Sequence, residues 1–150
     1  MPQVSEATAL VSTQSLGQNG IEDTSMCLFR MSNGVLVSTH ESFVVPHGVT
    51  SFEINGSAGS IIATGVMGQD PVGEIRLRTA SGDEIFEPVD RENLYIYSLR
   101  KFEAAASGSG APAADGRDGI ASLAGAVAIL ESVKQKKTIN VEALVSGAMR

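Results

Sequence analysis

The residues able to do chemistry in this chain are few. They are a single cysteine (Cys27), two histidines (His40 and His47), the adjacent pair Glu22-Asp23, Glu41, and the glycine-rich Gly108-Ser109-Gly110. Cys27 and His40 could form a thiolate–imidazole pair if a hairpin set them side by side. No third group marks an orienting partner, and the bland reading is a small buried cysteine beside a half-buried histidine. A metal held by His40 and His47 with Asp23 or Glu41 would need ligands seven residues apart across a Pro46 turn. That matches no recognised ligand spacing. Glu22 and Asp23 are neighbours in an extended run, so their side chains point to opposite faces and cannot work as a paired acid and base. Gly108-Ser109-Gly110 precedes a helix but follows no strand and carries no phosphate-binding lysine, so it reads as a loop. No self-contained active site is visible.

Composition narrows the classes. The chain has 150 residues, 43% hydrophobic and 19% charged, enough to bury the core of one domain. Its net charge of -6 and only four lysines, three of them crowded at 134–137, exclude a phosphate-tracking stripe, so nucleic acid is not an expected partner. One cysteine excludes an intrachain disulfide framework. No apolar run approaches the ~20 residues of a membrane span. The start, MPQVSEAT, lacks the basic and apolar parts of a signal peptide, so a cytoplasmic setting is expected.

The elements that must position these residues read as strands first and helices last, an α+β pattern. Residues 3–12 form a strand. Asn33-Gly34, between two apolar runs, predicts a two-residue type I′ hairpin. That register sets Cys27 opposite His40, Met26 opposite Glu41 and Phe29 opposite Ser38. It groups Phe29, Met31, Leu36 and Val44 on one face, and Met26, Leu28, Val37 and Phe43 on the other. Both faces mix apolar and polar residues, so both are expected to be covered, one by this chain's helices and one by something else. Strands follow at 49–55, 59–66, 73–80 and 84–88, joined by turn formers, as a meander.

Asp90 is expected to cap a helix to about Ser107, burying a stripe of Tyr95, Leu99, Phe102 and Ala106, with Gly108 ending it. A second helix starts near Asp115 or Asp118, carries Ile120, Leu123, Val127 and Leu130 on one face, and ends at Lys134, Lys136 and Lys137. Its Ala121, Ala124, Gly125, Ala126 and Ala128 make it thin enough to lie close to a neighbour. Residues 138–141 form a short last strand, and the tail to Arg150 is expected to be loose. The fold expected is an open, mainly antiparallel β-sheet with two helices packed on one face, in a single domain spanning 1–150.

Several segments together resemble a known family. They include Gly20-Ile21-Glu22-Asp23-Thr24, Leu28-Phe29-Arg30 with Asn33-Gly34, and His40-Glu41-Ser42-Phe43. Phe52 to Ile61, Val66-Met67, Pro71-Val72-Gly73 and Asn93-Leu94-Tyr95 continue the series. It closes with Phe102 to Pro112, Asp115-Gly116 and Asp118-Gly119. In this order they resemble the C-terminal half of the glucose–fructose oxidoreductase / inositol dehydrogenase / MocA (Gfo/Idh/MocA) family, within it the 1,5-anhydro-D-fructose reductase type, over about residues 4–142. The resemblance implies an open antiparallel sheet that shapes a sugar pocket and pairs through its exposed face.

It also implies that the dinucleotide-binding Rossmann domain, its catalytic lysine, and the helix with the assisting Asp and His lie in a half that this chain does not match. No catalytic, cofactor-binding or metal-binding residue is therefore expected here, and NAD or NADP belongs to a full-length parent. Glu22, Asp23, His40 and His47 are the residues expected to approach a sugar-like ligand, since strand-end loops carry function on a rigid sheet. A homodimer through the sheet face is the expected assembly. The alternatives are a freestanding binding or assembly module that has lost catalysis, and an independent enzyme using Asp23, His40 or His47.

Overall fold

The computed structural model describes residues 3–14, 16, 20–86 and 92–148. The chain divides into two units, Met1–Pro46 with Ala114–Arg150, and His47–Ala113. In the first, strands β1 (Val4–Ser12), β2 (Thr24–Met31) and β3 (Leu36–Ser42) run antiparallel in the order β3-β2-β1.

The hairpin between β2 and β3 forms, but its loop has three residues, Ser32-Asn33-Gly34. The Gly34 N–H donates to Met31 O at 2.8 Å, and the Met31 N–H donates to Val35 O at 2.8 Å. Gly34 takes φ +86° and Asn33 stays at negative φ, so a type I′ turn is excluded. Instead Gly34 sits in the left-handed region as a bulge, while Asn33 Oδ1 accepts the Val35 N–H at 3.3 Å. The register therefore moves by one residue: Met26 faces His40, Cys27 faces Thr39, and Phe29 faces Val37. Because side chains alternate with period two, that slip turns all of β3 over relative to β2. Neither apolar set expected from sequence survives: Leu36 joins Met26 and Leu28, and Val37 joins Phe29.

The face carrying Ala7, Ala9, Cys27 and Phe29 is the covered one. β4 (Ser51–Gly56), β5 (Gly59–Thr64), β6 (Glu74–Thr79), β7 (Gly82–Phe86) and α1 (Leu94–Ala106) belong to the second unit, and the chain returns to the first with α2 (Gly116–Gln135). Asp115 caps α2 by accepting the N–H groups of Arg117 (2.7 Å) and Asp118 (3.0 Å), while Asp118 reaches back to the Asp115 N–H (2.9 Å). The two candidate start residues thus act together as a capping box. α2 lies on β1 through its small residues, with Ala128 and Gly125 buried and Ala121 and Ala124 half-buried. The large residues Ile120, Leu123 and Leu130 are exposed, contrary to the stripe expected to face the core. Small side chains bring the helix backbone near the alanines of β1, and the stripe of large residues lies some 100° or more around the helix from that contact.

Ser132 joins the two elements. Its hydroxyl, 1% exposed, donates to Lys137 O at 2.8 Å and accepts the Ala9 N–H at 3.1 Å. Ser132→Ala removes both bonds and leaves the buried Ala9 N–H without an acceptor. A loss of about 1–3 kcal/mol in urea-unfolding free energy is expected. Lys136 ends α2 at φ 53°, ψ 42°, a left-handed cap that suits glycine. Lys136→Gly relieves that conformation and is expected to raise stability by about 0.5–1 kcal/mol, read as a higher Tm.

β8 (Ile139–Asn140) pairs antiparallel with β1 at Ala7 and Glu6, completing a four-stranded sheet. The tail expected to be loose forms α3 (Val141–Ala148) instead. Asn140 Oδ1 accepts the Ala143 N–H at 2.8 Å and starts the helix, and Leu144 and Val145 pack on the core of Ala7, Ala128, Ile139 and Val141. The helices on the first sheet are thus α2 and α3.

The second unit is the expected meander, in the order β4-β5-β6-β7. One face of this sheet carries Glu53, Asn55, Glu74, Arg76, Arg78 and Asp83. Arg76 bonds Glu74 at 2.8 Å, and Arg78 bonds Asp83 at 3.2 Å. The Arg78 bond, then the nearby guanidinium charges, lower the Asp83 pKa from its ordinary value. The other face carries Phe52, Ile54, Ile61, Ala63, Ile75, Leu77 and Phe86, of which only Ala63 is buried. Asn93 caps α1 by accepting the Tyr95 N–H at 3.0 Å; Asp90, expected in that role, lies outside the described residues. Gly108, at φ +76°, follows the Ser107 cap as expected. The Tyr95, Leu99 and Phe102 stripe is not buried: each is about two-thirds exposed, and no described residue of α1 is buried. The α+β class with open antiparallel sheets stands, and the helices that pack on a sheet, α2 and α3, do so on the first.

Candidate functional site

Asp23 sits at the junction of three segments of the first unit. Its side chain is buried, 3% exposed. Oδ2 accepts the backbone N–H groups of Gln14 at 2.8 Å and Leu16 at 3.2 Å. The Asp23 N–H donates to Ser12 O at 3.0 Å, and its carbonyl accepts the Phe43 N–H at 2.9 Å. An ionised carboxylate is suited to this because it accepts several bonds and donates none. The carboxylate ties the chain after β1 to the start of β2, and the Asp23 backbone bonds the end of β1 and the residue after β3. The next residue, Thr24, continues the junction with a hydroxyl contact to Ser42 at 2.8 Å. Glu22 is exposed beside this clamp.

His40 is exposed on the uncovered face of the first sheet, opposite Met26, with Leu10 next across on β1. Cys27 is buried, facing Thr39 and Ala9 on the covered side. The thiol and the imidazole therefore point to opposite faces, and the cysteine–histidine pair conceived from the two-residue turn does not form. His47 is exposed and belongs to the second unit. The structure thus brings Asp23 against the loop beside Glu22 but assembles no cluster from the four residues. Among the described residues no three His, Cys, Asp or Glu side chains lie together in a way that could hold a metal ion. No helix among them is long and apolar enough to cross a membrane.

The uncovered face is organised in rows: Leu10, Met26 and His40; then Thr8, Leu28 and Ser38; then Glu6, Arg30 and Leu36. Leu10, Met26, Leu28 and Leu36 are between 58% and 76% exposed. The full charges in these rows are Arg30 and Glu6, which pair at 2.9 Å, so the face carries almost none of the chain's net negative charge. A groove of about 270 Å³ runs beside Leu28, Leu36, Arg30 and Thr138. That is below the ~300 Å³ at which pockets begin to enclose a small ligand. The face offers a contact surface more than a binding cavity. Sequence reading missed Ser132 and the Thr8–Thr138 hydroxyl contact at 2.7 Å, because a lone serine or threonine carries no periodic signal.

Comparison with known proteins agrees with this architecture. Residues 1–62 match the GFO/IDH/MocA C-terminal domain. The chain is 36% identical over 137 residues to 1,5-anhydro-D-fructose reductase of Ensifer adhaerens, a match covering 91% of this chain and 41% of that protein. The chain therefore spans about two fifths of the relative's length. Its fold is shared with the aldose-aldose oxidoreductase of Caulobacter crescentus, solved with glycerol: TM-score 0.80 and 17% identity, over 93% of this chain and 42% of the other. It is shared also with levoglucosan dehydrogenase, solved with NADH and L-sorbose: TM-score 0.75 and 19% identity, over 93% of this chain and 45% of the other. With its ordered motifs, its open antiparallel sheets and these matches, the chain corresponds to the C-terminal domain of the Gfo/Idh/MocA family.

Proposed function

We propose that this chain is the substrate-side and oligomerisation domain of an NAD(P)-dependent sugar oxidoreductase, acting together with a dinucleotide-binding half. The observation that carries the reading is the 36% identity to a 1,5-anhydro-D-fructose reductase across nearly the whole chain. A hydride would pass between the nicotinamide and a sugar-like carbonyl or alcohol, with a proton moving to or from the same oxygen. This chain's part is to bind and orient the sugar. Glu22, His40 and His47 are the exposed groups assigned to that role, His40 from the edge strand β3 at the rim of the open face. Asp23 serves it indirectly, by fixing the loop beside Glu22. The working setting is cytoplasmic, and two copies pair through the open face of the first sheet.

The test has two arms. Titrated with NADH or NADPH, the chain alone shows no tight binding by fluorescence or calorimetry; tight binding overturns the reading. Joined to the dinucleotide-binding half of a relative, it supports reduction of a sugar carbonyl. In that protein, Glu22→Ala, His40→Ala and His47→Ala raise KM for the sugar more than KM for the dinucleotide. Unchanged sugar kinetics in all of them remove the site assignment while leaving the domain assignment intact.

A further inference from the structure

We draw no further inference here: the strongest candidate, the outward face of the second long helix with Ile120, Leu123 and Leu130 exposed, is an unpartnered apolar surface, and nothing in the structure shows what covers it.

Discussion

In sedimentation equilibrium at tens of micromolar, the chain is expected to behave as a dimer, and Leu28→Asp as a monomer of about 15.6 kDa. Leu28 lies in the middle row of the open face, flanked by Met26, Leu36 and Leu10, and is 61% exposed. Fully burying a leucine is worth about 1.5–3 kcal/mol, and a closed two-fold contact counts each substitution twice. A carboxylate in the same place must also be desolvated. Together these predict a dissociation constant raised at least about 100-fold, equivalent to ~3 kcal/mol. The fold should survive, because Leu28 contributes nothing to the covered face. Phe29→Asp behaves differently, since Phe29 packs against the core beneath the helices and its loss unfolds the first unit. Arg78→Ala, on the charged face of the second sheet, leaves the dimer unchanged. A monomeric parent chain, or a Leu28→Asp variant that remains dimeric, ends the proposal for this face.

Replacing Asp23 is expected to be the most damaging change at a polar position. Asp23→Ala leaves the Gln14 and Leu16 N–H groups without their carboxylate acceptor at a part-buried junction. A hydrogen bond to a charged group contributes about 1.5–3 kcal/mol, so losing two at a part-buried site predicts a loss of about 3 kcal/mol, a large share of a domain's total stability. Asp23→Asn keeps one oxygen acceptor and should lose about half as much. Urea titration measures both through the shift in midpoint, and amide exchange at Gln14 and Leu16 reports the same event locally. If Asp23→Ala is as stable as the parent while amide exchange at those two residues is unchanged, Asp23 does not hold the loop. Should Asp23 instead contact the sugar directly, Asn would impair binding at unchanged stability, which separates the two roles.

Much of the architecture was legible in the chain because it rests on local chemistry. Turn formers at Asn55-Gly56 and Ser81-Gly82, with alternation through Glu74-Ile75-Arg76-Leu77-Arg78, mark the meander. Asp115 and Asp118 mark the start of the second long helix, and the small residues from Ala121 to Ala128 show that it lies close to a neighbour. The family likewise followed from ordered motifs read together, none of which identifies it alone. The individual candidate residues were legible only as types. Asp23 reads from sequence as a charged group at a strand start, and nothing local shows that its carboxylate turns inward to accept loop N–H groups.

What sequence determined by itself was the α+β class, the order of the strands and the two long helices, the Asp115–Asp118 cap and the family. Tertiary structure alone decided three things. The first is the hairpin register: Asn33-Gly34 is compatible with both a two-residue and a three-residue loop. One residue's difference separates His40 from Cys27 and moves Leu36 onto the open face. The second is which face of the second long helix is buried. Large apolar residues signal burial by periodicity, but contact with β1 selects the small-residue side, where backbones can approach. The third is the fate of the tail, which becomes helical because Leu144 and Val145 find the core formed by Ala7, Ala128 and Ile139. In each case the local sequence permits two conformations of similar energy, and contacts between residues far apart in the chain choose between them.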